Sequence, residues 1–381
     1  MNKIRLLTAG ESHGPEICVI IDGLPAGLTL CASDIDRDLK RRQLGYGRGG
    51  RMKIESDLVT ITAGVRHGLT TGAPVCLKIK NRDYEKWLDI MAVDGPARGE
   101  AVTAPRPGHA DLAASQKYRL PDLRDVIERA SARETAARVA AGGVFRKMLD
   151  ALSISVGSQV LSIGGITAVG SRRATDEIEQ APLRCPDPDA ETLMMQAIDH
   201  ARDEGDTLGG VVEITASGMF PGLGSHTQFD RRLDAAFAAA LMSIPSVKGV
   251  SIGPAFENTS LAGSLVHDEI FSDESGKIFR KTNRAGGIEG GISNGSDIVC
   301  RIAVKPIPTL GKPLNSIDIS SGAEVKACRE RADVCAVPAA GIVAEAMVMY
   351  VLADAVADKF GCDCMADMLT AHQAYIGRIR P

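Results

Sequence analysis

Residues 336–353 read Ala-Val-Pro-Ala-Ala-Gly-Ile-Val-Ala-Glu-Ala-Met-Val-Met-Tyr-Val-Leu-Ala, and Asp354 and Asp358 follow. This is the longest apolar run in the chain. Pro338 and Glu345 interrupt it and acids close it, so a helix buried inside a protein explains it better than a membrane span. The helical pattern covers 340–360. Two further stretches read the same way: Asp125 to Leu152, long and Ala-rich with Arg129 and Arg133 one turn apart, and Asp230 to Ile244. A shorter helix fits from a Ser33 cap through Gln43, with Asp36 at the third helical position completing a weak capping box.

Around these helices lie short runs of β-formers bounded by glycine turns: 19–23, 58–62, 75–80 and 298–304. They bunch about the helices rather than alternating with them one for one. That pattern predicts an α+β protein, a β-α-β sandwich with central helices packed between antiparallel sheets. A faint echo runs through the chain. Gly23-Leu24-Pro25-Ala26-Gly27-Leu28 before Asp36-Arg37-Asp38-Leu39 is answered by Gly218-Met219-Phe220-Pro221-Gly222-Leu223 before Asp230-Arg231-Arg232-Leu233. Gly72 leading to 76–80 is answered by Gly295 leading to 300–305. The order agrees in both halves, as an internal pseudo-twofold repeat would require.

The 381 residues can bury a large core, and no clean linker divides them. A formal net charge of -4 places the basic clusters on a mildly acidic molecule, which disfavours a nucleic-acid binder. Aromatic residues make up only 4%, with Trp87 alone of its kind, against 40 glycines, so close packing must come from small residues. The nine cysteines are odd in number and form no C-x-x-C pair, which disfavours a disulfide framework or a zinc site. Cys362 and Cys364 read as free thiols of a reducing compartment. The start, Met-Asn-Lys-Ile-Arg-Leu-Leu-Thr, lacks the apolar core of a signal peptide, so a soluble, cytoplasmic protein is expected. No G-x-G-x-x-G opens a helix after a strand and no P-loop occurs, which sets aside the standard nucleotide folds.

Chemistry concentrates in three places. Residues 8–14 read Thr-Ala-Gly-Glu-Ser-His-Gly, and 37–53 hold Arg37, Lys40, Arg41, Arg42, Arg48, Arg51 and Lys53 among Gly45, Gly47, Gly49 and Gly50. Glycines let backbone approach a ligand, and arginine presents a planar fork to carboxylate or phosphate. Residues 106–111 read Arg-Pro-Gly-His-Ala-Asp, with Asp111 an orienting partner for His109, and lead toward Arg129, Ser131, Arg133 and Arg138. In 283–295 five glycines crowd a loop ahead of a strand that ends in Lys305-Pro306-Ile307-Pro308-Thr309, an arrangement that suits a phosphate. A multiply anionic small molecule fits these features best. The Arg-Gly stretch keeps RNA binding open as a second class, and an enzyme acting on a phosphate ester without a cofactor is a third.

Taken together the motifs resemble those of the chorismate synthase family over essentially the whole chain. They are G-E-S-H-G at 10–14, G-Y-G-R-G-G-R-M-K-I-E at 45–55, R-P-G-H-A-D at 106–111, E-R-A-S-A-R-E-T-A at 128–136, G-D-T-L-G-G at 205–210, F-D-R-R-L-D-A at 229–235, A-G-G-I-E-G-G-I-S-N-G at 285–295 and K-P-I-P-T at 305–309. The resemblance implies one catalytic domain spanning 1–381. Its reaction is the anti 1,4-elimination of phosphate from 5-enolpyruvylshikimate 3-phosphate to give chorismate, with reduced FMN and no net oxidation. It also implies a homotetramer, and an external source of reduced flavin, since the motifs leave no room for an NAD(P)H:flavin reductase domain.

By motif match Ser12, Arg42, Arg48, Arg51, Arg106, Ser131 and Arg331 hold the substrate. His13 is the proton donor to the departing phosphate, His109 meets the anionic edge of the flavin, and Asp333 helps relay the substrate proton taken up at the flavin N5. FMN is expected at His109, Arg129, Ala130, Ser131, Pro245, Ser246, Gly290, Lys305, Pro306, Ile307, Pro308, Thr309 and Arg331. Relatives often hold Asn-Ala where this chain has Pro245-Ser246, so only backbone contacts carry over there.

Overall fold

A computed structural model describes residues 3–49, 56–170 and 173–379. Strands β1 (Arg5–Ala9), β2 (Glu16–Asp22), β3 (Val59–Ala63) and β4 (Val75–Lys80) form an antiparallel sheet in the order β1-β2-β4-β3. A second antiparallel sheet holds β5 (Ser155–Ile163), β6 (Ile166–Thr167), β7 (Gly210–Ser217), β8 (Val247–Ile252) and β9 (Ile298–Val304), in the order β8-β9-β7-β5-β6. Period-two alternation explains why each sheet has an inner face. Val75, Leu77 and Ile79 of β4 are buried while Cys76, Lys78 and Lys80 turn outward. Ile298, Cys300, Ile302 and Val304 of β9 do the same for the other sheet.

Between the sheets run α1 (Ala32–Gln43), α4 (Thr135–Asp150), α5 (Leu233–Met242) and α6 (Val337–Phe360); α2 (Asp111–Tyr118) and α3 (Arg124–Arg129) precede α4 at one end. Helix α4 packs on β2 and β4, α6 on β5 and β7, and the two helices on each other. Small residues set that spacing. A Cβ added at Gly142 would lie 2.5 Å from Ala346 Cβ, and one at Gly143 would lie 2.9 Å from Ile35 Cα, so neither position has room for a side chain. Helix α6 is long and apolar enough to cross a membrane, yet 83% of its apolar window is buried between the sheets. The expected α+β sandwich with central helices is the observed architecture.

Two local expectations shift. Helix α1 begins earlier than the proposed Ser33 cap: Cys31 is the cap residue, and Asp34 accepts its backbone N–H at 3.0 Å. The expected helix over 125–152 is interrupted after Arg129. Ser131 is extended there, its hydroxyl accepts Arg133 N–H at 3.2 Å, and a 3-10 turn over 132–134 leads into α4. Of the internal echo, strand order is what can be compared: β1-β2-β4-β3 in one sheet matches β5-β7-β9-β8 in the other, and α1 and α5 follow corresponding strands. This is an agreement of order alone.

Candidate active site

The loops that leave these layers at one end enclose a cavity of about 670 Å³, within the range of small-molecule sites. The segments that build it are far apart in sequence: Thr8 to His13 from the end of β1, Arg42 to Gly49 from the end of α1, Arg106 to Ala110, the α3–α4 turn, Ile244 to Ser246 after α5, Val304 to Thr309 from the end of β9, and the start of α6. One wall is apolar, from Ile127, Ile244, Pro245, Val304, Ile307, Pro308, Ala339 and Val343. Among the described residues the remainder is cationic, with Arg42, Arg48, Arg106, Arg129, Arg133, Arg138, Lys305 and Arg331 against the carboxylates of Glu134, Glu330 and Asp333.

His13 is buried, 7% exposed, and its ring is held on two sides. Nδ1 lies 2.8 Å from Glu128 Oε1, and the backbone N–H donates to Glu128 Oε2 at 2.7 Å. The ring stacks on Trp87 with centroids 4.0 Å apart. Burial pushes the Glu128 carboxyl up, but the hydrogen bonds from His13 and the Arg124 charge outweigh it and leave the group below its ordinary range. Ser131 Oγ and Ser12 Oγ are 3.0 Å apart, tying the α3–α4 turn to the loop after β1.

His109 has a comparable carboxylate partner. Its Nδ1 lies 2.5 Å from Asp111 Oδ1, and Asp111 also accepts from Arg106 Nε at 2.8 Å and Arg106 N–H at 3.0 Å. Arg106 Nη1 donates to Thr309 Oγ1 at 2.8 Å, which links this loop to the stretch after β9. Burial raises the Asp111 carboxyl, while hydrogen bonds from His109 and Arg106 more than offset it and hold it well below the carboxylate range. The Pro107-Gly108 turn places Gly108 O 2.6 Å from Lys305 Nζ, and burial lowers the Lys305 ammonium from its usual value, with help from Lys248.

Arg48 Nη1 pairs with Asp333 Oδ2 at 2.7 Å, and Gly49 N–H donates to Asp333 Oδ1 at 2.6 Å. Arg42 is nearly inaccessible and donates to Thr135 Oγ1, Asp57 and Ala132 O. Burial pulls its guanidinium down to about 10, so it remains charged at neutral pH. Half-exposed Arg331 pairs with Asp83. Arg129 donates to Gly10 O and Thr8 O, bracing the loop after β1. Ser246 has φ +69°, unusual for a residue with a side chain, and its carbonyl accepts Lys305 N–H at 2.9 Å.

Of the residues singled out in the sequence, Ser12, His13, Arg42, Arg48, Arg106, His109, Arg129, Ala130, Ser131, Pro245, Ser246, Lys305, Ile307, Pro308, Thr309, Arg331 and Asp333 line this one cavity. Arg51 lies outside the described residues. Two expected flavin contacts are not among the lining residues. Exposed Pro306 packs toward Gly209, where an added Cβ would lie 2.9 Å from its Cδ. Gly290 sits in the exposed turn between the strands Ile288–Glu289 and Ile292–Asn294. The glycines beside it serve close packing: a Cβ on Gly287 would meet Asp297 O at 2.4 Å and one on Gly291 would meet Arg232 Cγ at 2.6 Å. Sequence reading gave no role to Trp87, Glu128 or Asp57, whose partners are distant in sequence, nor to Glu134 in the lining.

A family described as chorismate synthase matches residues 4–357. A chorismate synthase from Desulforudis audaxviator is 53% identical over 99% of this chain and 98% of its own length, and one from Symbiobacterium thermophilum is 50% identical over 99% of both. A crystal structure of a chorismate synthase superposes with a TM-score of 0.79 at 38% identity, covering 99% of this chain and 98% of that one.

Proposed function

This chain belongs to the chorismate synthase family and catalyses the last step of the shikimate pathway, and from that premise we propose how its cavity performs the reaction. The observation that carries the reading is the convergence of His13, His109, Arg42, Arg48, Arg106 and Arg331 on one cavity with an apolar wall. The substrate, 5-enolpyruvylshikimate 3-phosphate, bears two carboxylates and a phosphate, and bidentate arginines match such groups better than lysines do. Arg48 and Arg331 meet these anions directly, while Arg106, whose donors go to Asp111, Thr309 and His109, adds fixed charge at the same wall. Arg42, whose donors are largely committed to Thr135, Asp57 and Ala132, supplies fixed charge and braces the wall.

The residues present fit FMN. Ile127, Ile244, Pro245, Val304, Ile307 and Pro308 offer a surface for a flat ring, and Arg129 and Lys305 offer cations for its phosphate. Gly290 and Pro306 are left out of that set. The chemistry reduced FMN would supply when bound is transient electron density for the breaking carbon–oxygen bond, with no net oxidation. His13 donates a proton to the departing phosphate, whose second pKa near 6 suits an imidazolium donor. His109, fixed by Asp111, presents its ring to the anionic edge of the flavin. Asp333 serves as proton relay. Arg48 engages its Oδ2 at 2.7 Å, and substrate anions that draw Arg48 toward themselves release that oxygen.

We further propose a cytoplasmic homotetramer supplied with reduced flavin from outside. Exposed Leu7, Ile20, Phe256, Leu265, Ile270 and Ile278 support a chain that buries more surface on assembly.

An anaerobic assay tests the reading. Phosphate released from enolpyruvylshikimate phosphate only with prereduced FMN is the expected result, while release without flavin would replace it with a simple phosphate-ester enzyme. Salt-sensitive RNA binding without turnover would favour the Arg-Gly alternative. Arg48→Ala is expected to raise the apparent KM by roughly 10-fold to 100-fold, the loss of about 1.5–3 kcal/mol that a hydrogen bond to a charged group represents. An unchanged KM would remove Arg48 from the substrate site.

A further inference from the structure

We propose that Glu128 is the positioning residue of His13: its carboxylate fixes the ring proton on Nδ1 and so turns Nε2 toward the cavity. This rests on His13 lining the site, and it adds to the proton-donor reading a residue that never touches the substrate. Glu128 is 2% exposed, and both its oxygens are committed to the same residue. Oε2 accepts the His13 backbone N–H at 2.7 Å, a donor that cannot exchange roles. Oε1, an acceptor only, lies 2.8 Å from Nδ1, so Nδ1 must carry hydrogen. Arg124 lies 3.4 Å from Glu128 Oε1 and 2.8 Å from Glu330, which keeps the α3 carboxylate ionised beside the ring. Trp87, with Arg124 5.2 Å above the same indole, holds the plane of the ring.

Glu128→Gln separates orientation from mere packing, because it keeps the shape and removes one acceptor. The single amide oxygen must serve the backbone N–H, since the alternative sets two donors against each other. The amide NH₂ then faces Nδ1. The neutral ring moves its proton to Nε2, and an imidazolium meets a donor where it had an acceptor. An equivalent change in the orienting aspartate of serine proteases leaves geometry intact and costs about 10⁴-fold in kcat.

For Glu128→Gln the expected outcome is a loss of at least ~10²-fold in kcat with little change in KM, partial recovery in Glu128→Asp, and a shift of the alkaline limb of kcat to lower pH by about one unit or more. The molecule carries its own reporter, because Trp87 is the only tryptophan in the chain and stacks on His13. Its fluorescence should step as the imidazole titrates, the step should vanish in His13→Asn, and its midpoint should fall by about a unit or more in Glu128→Gln. A step unmoved by Glu128→Gln would overturn the proposal. A moved step with kcat intact would uphold the positioning and remove His13 from proton donation. Should the variant not fold, ¹⁵N-histidine spectra of the wild-type enzyme decide the matter: a neutral His13 with its proton on Nδ1 supports the assignment, and one on Nε2 overturns it.

Discussion

His13→Ala and His109→Ala should each lower turnover by roughly 10²-fold or more, the range for losing a general acid, while the protein remains folded. The fold should survive because neither change orphans a buried charge. In His13→Ala the backbone N–H at position 13 still donates to Glu128, and Arg124 still neutralises it. In His109→Ala, Asp111 keeps Arg106 through both side-chain and backbone N–H groups. The two losses should also differ in kind. Without His13 the departing phosphate leaves as the more basic, unprotonated species, so the defect should shrink at lower pH, where phosphate takes its proton from solvent. Without His109 the defect should show in flavin affinity as well as in rate. Phosphate release under anaerobic conditions with prereduced FMN measures both. Near-wild-type rates in either variant would remove that histidine from the mechanism.

The sequence carried the architecture well where a pattern is local. Strands over 75–80 and 298–304 form where runs of β-formers between glycine turns place them, and the apolar run from Val337 to Ala353 lies inside α6 between two sheets. It failed where tertiary contacts override propensity. The Ala-rich stretch from Asp125 onward breaks at Ala130-Ser131 because the Ser131 hydroxyl serves Arg133 N–H and the Ser12 hydroxyl, a pairing across 119 residues. Both histidines were legible from their glycine-bounded turns, but only Asp111 was visible as a partner, being two residues from His109. Glu128 reaches His13 across 115 residues and left no local signal. The glycine-crowded loop at 283–295 carries an ambiguous signal. A phosphate cradle and a tightly packed hairpin ask for the same residue, and neighbouring Asp297 and Arg232 explain Gly287 and Gly291 without a ligand.

Glu345→Ala should destabilise the protein by about 3–5 kcal/mol, the usual consequence of breaking a buried ion pair from one side. In the sequence this residue is only an interruption of an apolar run. In the folded chain it is wholly buried in α6, and five donor groups converge on it. Arg41 donates from Nη1 at 2.8 Å and Nη2 at 3.0 Å, Arg146 Nη2 at 3.1 Å, Arg184 Nη2 at 3.2 Å, and Ser158 Oγ at 2.7 Å. Asp38 and Glu179 share these arginines, with Asp38 accepting from Arg41 and Arg146 and Glu179 pairing with Arg41 and Arg184. Burial alone would lower Arg41, but Glu345, Glu179 and Asp38 outweigh it and hold the guanidinium above its ordinary value. The cluster therefore joins α1, α4, β5 and α6 at the centre of the sandwich. Removing Glu345 leaves three guanidinium groups with two shared carboxylates and an added void. Glu345→Gln should cost less, since the amide oxygen still accepts, although its NH₂ then confronts an arginine. Denaturant midpoints of both variants, taken at one protein concentration, give the comparison. A Glu345→Ala midpoint equal to wild type would mean that these arginines reach water or other acceptors without cost, and that the cluster does not hold the layers together.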